Sequence, residues 1–564
     1  MQNENDSSPS AASTDETNEV PSRSLVAIIA GMTASLRPRM TVWLLGLMFV
    51  CILGSYENRR TTAWLDSLVP YAPDSQIDVS RRTLINDPDA VRWVIYAQNA
   101  VRDGAVRLPH YTMEDGYPSG RAVGWSSPPM WWLIGLGYAR HVATGEDLET
   151  CISEMAPYSN TYLWVLASAL MGILFVRIYG WRGGFIMPTA FSIFFIGKYG
   201  VFSPDHHLWI LLSGMGTIAC LSAPFVLEGR CRSRLWFVGA ALFTAFGMWI
   251  SAPSEALVMI GVFLGFLFIP AAAARRVDPA NWRWYGILTS ILSLALCWIE
   301  FQPRISLDVE LNNPLYSAGA LLCGIWFWQM HEFAASGRLL DSLSPRILVY
   351  CTLAFVVFCL PVMIYLPICF SMFDPYFSRW VAQIAEIQPA DLWGYFFQQE
   401  FIFLAVIATI VSMVSFWRRT SDGIKSASLM IGGAMLVSVY MGLSSIRFSD
   451  AALACLAMVL PLWISFSRRR VAGLMTVIAL LLSFCGSLHR SATLTRYAVV
   501  YGMPDQIAYV FNIRVLSGPL LKIDSGRGGA VLSPSNDGNF INYFTKLPVY
   551  GTAYWENIRG LTYT

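Results

Sequence analysis

Charge is what this chain has least of. Only 13% of its residues are Asp, Glu, Lys or Arg, about half the share of an average soluble domain. That scarcity excludes a solvated globular protein for most of the length. The formal net charge of +2 and the absence of a basic face leave no footing for nucleic acid as a partner. Eleven cysteines are present without a CxxC pair, and most stand inside apolar runs. They read as small hydrophobes, and neither a disulfide framework nor a zinc site follows. No internal repeat is visible. The first 25 residues are polar and acidic and lack the basic start and apolar stretch of a signal peptide. Residues 1–38 are therefore expected to form a disordered cytoplasmic amino terminus.

What the chain has is apolar length. Hydrophobic residues make up 55% and aromatic residues 14%, and runs near the ~20 residues needed to cross a bilayer recur along the sequence. They fall near 40–56, 158–176, 184–202, 206–224, 235–250, 254–272, 283–301, 314–329, 347–369, 397–415, 426–444, 449–466 and 471–487. The expected fold is an all-α polytopic membrane protein of about thirteen spans over residues 39–487. Basic residues support the count, because Lys and Arg collect in cytoplasmic loops. Alternate loops hold Arg177 and Arg182, then Arg230, Arg232 and Arg234, then Arg275 and Arg276, then Arg338 and Arg346, then Arg418 and Arg419, then Arg468 to Arg470. The opposite loops are nearly bare. This alternation places the amino terminus inside and the carboxyl terminus outside a cell (inner) membrane.

With that orientation, four segments share the outer side: the long first loop 57–157, the turn SPDHH at 203–207, the loop 373–393, and a small α/β segment at 488–564. Residues 530–560 read as a strand, a short helix and a second strand. PPMWWLIGLGY, 128–138, is too short to cross and rich in Trp, which suits an interfacial or re-entrant segment.

Acidic groups from separate parts of the chain meet on this side. NDPDAVRW supplies Asp87 and Asp89, the second turn supplies Asp205, His206 and His207, and QIAEIQP supplies Glu386. Carboxylates with one imidazole suit a divalent cation such as Mg²⁺ or Mn²⁺. Each residue also has a plainer reading. Asp87, Asp89 or Asp205 could cap a helix, and Glu386 could be a solvated loop residue.

The order of these motifs resembles the catalytic subunit of oligosaccharyltransferases and related GT-C membrane glycosyltransferases. That family carries an acidic motif in its first outer loop, a D-x-H-like motif in the second and a glutamate motif followed by Q-P in the fifth. Asp205 with His207, and Glu386 in QIAEIQP, match the last two. Arg447 in SSIRFSD matches a late-span arginine that engages lipid pyrophosphate, and a snorkelling arginine is its plainer reading. The resemblance covers roughly residues 40–487 and implies a GT-C fold. It implies a metal-dependent transfer of a sugar or oligosaccharide from a polyprenyl-linked donor to a lipid, glycan or protein acceptor. Asp87 or Asp89, Asp205, His207 and Glu386 would hold the cation, and Arg447 would bind donor phosphate. Lys198 in FIGKYG is a further phosphate candidate, with snorkelling as its alternative. His110, Glu255 and Glu300 have no motif support and read as structural.

The sequence departs from the family in one respect: no WWDYG is present, and the stretch after Tyr497 is too short for the large outer domain that carries it. This argues against transfer to an asparagine sequon. Two other classes compete, a flippase or transporter of a lipid-linked saccharide and a non-catalytic membrane subunit. Charges clustered at one face, without repeats, fit neither a midplane transport site nor its internal symmetry.

Overall fold

The computed structural model describes residues 88–195, 204–227, 233–302, 311–336, 417–444, 449–466 and 505–550. Asp87, Lys198, Glu386 and Arg447 lie outside the described residues, as do the amino-terminal segment and the spans expected near 40–56, 347–369, 397–415 and 471–487.

The described chain is mostly helical. Helices α1 (Pro88–Asp103), α2 (Pro128–Thr144) and α3 (Leu148–Met155) form a polar layer with a short hairpin, β1 (Tyr111–Thr112) and β2 (Arg121–Ala122). A bundle follows, made of α4 (Ser159–Phe195), α5 (His207–Val226), α6 (Ser233–Phe266), α7 (Ala280–Phe301), α8 (Pro314–Ser336), α9 (Asp422–Ser444) and α10 (Ser449–Phe466). Helices α11 (Asp505–Asp524) and α12 (Ser535–Thr545) are the last of the described elements. Among the described residues, five stretches are long and apolar enough to cross a membrane: Leu148–Gly180, His207–Val226, Ser233–Phe266, Ala280–Phe301 and Asp422–Gly442.

Two bundle helices bend where the sequence places a boundary between spans. A 34-residue helix such as α6 would run about 50 Å if straight, well beyond a hydrocarbon core about 30 Å thick. It breaks at Ser251 (φ −154°, ψ 90°), two residues before Pro253, and folds back on itself. The fold-back is visible at Trp282, whose ring meets both Phe237 and Phe266 at centroid distances of 4.8 and 5.0 Å. Helix α4 breaks at Gly180 (φ 76°, ψ −168°), a backbone region open to glycine alone. The returning half of α6 then lies directly on α9. A Cβ at Gly261 would stand 2.4 Å from Ala434 Cα, and one at Gly265 would stand 2.0 Å from the Leu429 carbonyl oxygen. Small residues are what let helices in lipid approach this closely.

Two apolar cores result. One fills the bundle around Phe237, Phe266, Trp282 and Phe327. The other belongs to the polar layer, where Trp93, Tyr96, Leu133 and Ile152 pack with Phe540 of α12. Arg92 in α1 donates to Asn539 and Asn542 of α12 at 2.8 and 3.0 Å. The Val549 carbonyl accepts from the Gly116 and Tyr117 amides. The carboxyl-terminal segment and the first loop therefore lie on the same side of the bundle.

Two sequence expectations change in detail. The segment around 530–560 contains α12, flanked by an isolated parallel bridge between Val531 and Val549, but α11 precedes it as a 20-residue helix that was not anticipated. Its Gly518 and Pro519 are helix breakers that hid it. The Trp-rich segment begins a 17-residue helix, α2, which packs on α1 and α3.

Candidate active site

The site begins where α5 starts. Asp205 precedes the helix, and His206 is its N-cap without any side-chain capping bond. The Asp205 carboxylate meets the helix start at one amide only, that of His206, so the capping reading holds in that limited form beside the contacts that follow. Its Oδ1 accepts from the His206 amide at 2.6 Å and lies 2.7 Å from His206 Nδ1, while Oδ2 lies 3.3 Å from His207 Nε2. The Asp205 amide donates to Asn160 Oδ1 at 3.4 Å, tying the turn to the start of α4.

All three side chains are partly accessible, with Asp205 at 14%. Burial alone would push the Asp205 carboxyl up, but the two imidazoles, His207 first, outweigh it and hold the group well below the usual carboxylate range. Asp205 is an anion at neutral pH.

These three residues offer one carboxylate oxygen and two ring nitrogens, all within 4.8 Å of one another. Among the described residues they are the one such group. The spacing fits a single divalent ion with N and O ligands at about 2.0–2.2 Å. Two imidazoles beside one carboxylate favour a softer ion, such as Mn²⁺ or Zn²⁺, over Mg²⁺.

The first loop reaches this turn through aromatic rings. Trp93 of α1 stacks on Trp125 with centroids 4.5 Å apart, and both face His206 at about 6 Å. Asp89 stands in the first turn of α1, four residues before Trp93, so the two share one helix face. His206 makes two kinds of contact, its ring meeting the tryptophans and its Nδ1 meeting Asp205.

Beneath the turn, a mostly apolar groove opens between α5, α6, α9 and α10. His207, Met215, Ile218, Val258, Met441 and Asp450 are among its walls. From His207 to Ile218 the groove follows α5 for about 16 Å at 1.5 Å per residue.

No protein-family model matches the chain, and no curated protein matches it. Solved structures do. An oligosaccharyltransferase from Archaeoglobus fulgidus, in complex with an inhibitory peptide and a dolichol-phosphate, aligns with a TM-score of 0.63 at 14% identity. The alignment covers 91% of this chain and 64% of that one. The fold is that of an oligosaccharyltransferase.

Two further structures from the same organism agree. The oligosaccharyltransferase with Zn and sulfate gives a TM-score of 0.59 at 13% identity, over 91% of this chain and 62% of that one. The form tethered to an acceptor peptide containing the NVT sequon gives 0.62 at 14%, over 91% and 64%. The chain thus spans about 64% of the length of the oligosaccharyltransferase structures it matches.

Against this fold, Asp205 and His207 come together, and Asp89 stands on the neighbouring helix, one turn from the tryptophan that touches His206. Asp87, Glu386, Arg447 and Lys198 lie outside the described residues. One wall residue was not singled out from the sequence. Asp450 is nearly buried and faces the same groove as His207. The available signal was its place three residues after Arg447, in the first turn of an apolar helix. Of the residues read as structural, Glu300 and His110 share one knot, and Glu255 lies elsewhere in the bundle, bonded to Thr217. Glu300 accepts from Ser127 Oγ at 2.6 Å and from Trp249 Nε1 at 2.8 Å, and lies 3.2 Å from His110.

Proposed function

We propose that the chain is a GT-C glycosyltransferase that moves a sugar or oligosaccharide from a polyprenyl-(pyro)phosphate donor to an acceptor at the extracytoplasmic membrane face. One observation carries this reading: an ionised carboxylate and two imidazoles stand at the mouth of an apolar groove that runs into the helix bundle. The groove suits an isoprenoid tail, and the mouth is where that tail's phosphate would sit. The oligosaccharyltransferase fold supports the same class of reaction.

Asp205, His206 and His207 would hold a divalent cation, with Asp89 and Glu386 proposed as the remaining carboxylates. When bound, such a cation neutralises charge on donor phosphate oxygens as the glycosidic bond to phosphate breaks. Arg447 and Lys198 would pair with the same phosphate by charge-assisted hydrogen bonds. Asp89 or Asp87 would orient the acceptor nucleophile or take its proton. Trp93 and Trp125 would cover one side of the turn and limit its hydration, which strengthens electrostatic contacts at the reacting centre. The acceptor is a lipid, glycan or protein group.

The test is turnover of a polyprenyl-linked sugar by membranes carrying the protein, with and without a chelator. Chelation and Asp205→Ala should each lower transfer by roughly 100-fold or more, the scale of losing transition-state charge stabilisation. Undiminished transfer by Asp205→Ala would reject the assignment. Donor crossing vesicles without glycosidic transfer would establish a flippase instead.

A further inference from the structure

Ser127 stands where a cap for α2 belongs, yet its side chain makes no capping bond. Pro128 and Pro129 open that helix without an N–H to give. The hydroxyl goes instead to α7, donating to Glu300 Oε1 at 2.6 Å, while the Ser127 amide donates to Oε2 at 3.2 Å. Trp249 Nε1 of α6 adds a third donor, to Oε2 at 2.8 Å. Three donors thus converge on a side chain that is 1% exposed. That arrangement suits a carboxylate anion, and a buried anion needs a counter-charge.

His110 supplies it. Its Nδ1 lies 3.1 Å from the Val123 carbonyl oxygen, and its Nε2 lies 3.2 Å from Glu300 Oε1. Both neighbours are acceptors only, so both ring nitrogens carry a proton and the ring is an imidazolium. Arg107, the other cation close by, spends its Nη1 on the backbone carbonyls of Ile299 and Glu300. The His110 carbonyl also accepts from the Val123 amide at 3.2 Å, so ring and backbone both hold Val123. The stretch from Val123 to Ser127 is therefore fastened at one end to His110 and at the other to Glu300. Between the two fastenings stands Trp125, whose ring stacks on Trp93 and meets His206 beside the Asp205 turn.

We propose that His110 and Glu300 are positioning residues for the transfer reaction: their ion pair pins the segment 123–127 so that Trp125 closes over the Asp205 turn. The inference rests on the reading of that turn as the reacting centre. Both residues act through Trp125, whose cover keeps water from the turn and holds its side chains in one arrangement. A pair that served only the stability of the first loop would have its partners inside that loop's own core. Glu300 belongs to α7 and is shared with α6 through Trp249, so the pair ties the segment to the bundle that carries Asp205.

The test compares His110→Phe, Glu300→Gln and the double variant, each as the full chain in lipid nanodiscs. His110→Phe keeps a ring and removes the charge. It should lower kcat for transfer from a polyprenyl-linked sugar about 10- to 100-fold and leave the donor KM within about threefold. Hydroxyl-radical oxidation read by mass spectrometry supplies a second measure. Trp93 is 1% exposed beneath Trp125, and Trp282 in the bundle is fully buried. In His110→Phe, oxidation should rise roughly fivefold at Trp93 and stay unchanged at Trp282, as local opening requires. The double variant should recover part of both losses, because no buried carboxylate is left without its counter-charge. Unchanged kcat with unchanged Trp93 oxidation would overturn the proposal. So would oxidation rising equally at Trp93 and Trp282, which is plain loss of stability, or a double variant that shows the full product of the single effects. If the wild-type chain transfers no sugar, the reading of the reaction fails, and Trp93 oxidation alone decides whether the pair pins the segment.

Discussion

In the polar layer, Asp115 is fully buried between two guanidinium groups, with Arg121 Nε 2.6 Å and Arg92 Nε 3.5 Å from the same carboxylate oxygen. Arg121 also donates to the Tyr96 hydroxyl at 2.9 Å, and Arg92 spends its other nitrogens on Asn539 and Asn542. In the bundle, the buried Glu255 meets hydroxyls only. Thr217 donates to its Oε1 at 2.7 Å, Oε2 has no donor among the described residues, and the nearby Ser213 hydroxyl gives its proton to the Ile210 carbonyl. Asp205 fits neither pattern. It is partly accessible, and its partners are imidazoles, which can trade a carboxylate for a metal ion. A charge sealed among permanent counter-charges holds architecture together, whereas a charge left at a mouth with exchangeable partners is free for chemistry.

The sharpest way to break this comparison is to remove the sealed charge. Asp115→Ala leaves two buried guanidinium groups sharing no carboxylate, and breaking a buried pair in this way costs about 3–5 kcal/mol. Amide exchange across α12 should rise accordingly, because Arg92 then loses the anion that holds it against Asn539 and Asn542. Asp205→Ala should remove divalent-ion binding, measured by calorimetry, and leave exchange in α12 unchanged. Equal destabilisation by both substitutions would erase the distinction.

A smaller effect probes the bundle. Gly247 faces the carboxyl of Glu255 eight residues further on, across the α6 fold-back, and a Cβ there would stand 2.2 Å from Oε2. Gly247→Ala is expected to cost about 1–3 kcal/mol through overpacking. Glu255→Gln keeps the shape and should restore nothing, because the clash is steric. Recovery in the double variant Gly247→Ala, Glu255→Ala, read as a thermal midpoint in nanodiscs, would assign the cost to that contact. A midpoint unmoved by Gly247→Ala would show that the hairpin has slack at this level.

Much of the bundle was legible because lipid imposes a simple code. Apolar runs near 20 residues and alternating basic loops located α5 and α7, and they placed span boundaries where α4 and α6 break, at Gly180 and Ser251. The Asp205 turn was legible for the converse reason, since ionisable groups beside an apolar run are costly. The polar layer was not legible to the same depth. Its core joins Trp93 and Tyr96 to Phe540, and its charges join Arg92 to Asn542, partners 450 positions apart. No local periodicity reports such pairings. Asp450 was missed for a related reason: its place on the groove wall depends on how α10 packs on α5 and α9, and a single helix does not record its neighbours.

The least costly perturbation tests whether the polar layer is cooperative or merely assembled. Asp147 is the N-cap of α3, its Oδ2 accepting from the Thr150 amide at 3.0 Å and the Thr150 hydroxyl at 3.1 Å. The Thr150 amide, as the main cause, holds the Asp147 carboxyl below its usual range. A carboxyl depressed on folding adds stability that is complete above its unfolded value, about 4, and is lost as pH falls through the folded value. Asp147→Ala should cost about 1 kcal/mol and Asp147→Asn much less, as expected for an exposed cap. Protection factors at Cys151 and Ile152 would read the change, and in the wild-type chain they should fall between pH 5 and pH 3, after correction for the intrinsic exchange rate, by about the amount that the alanine variant shows at pH 7. Ile152 is the residue under Gly137 of α2. If the layer acts as one unit, losing the cap also speeds exchange in α2, and if exchange there stays fixed, α2 holds its place through α1 and opens independently of α3.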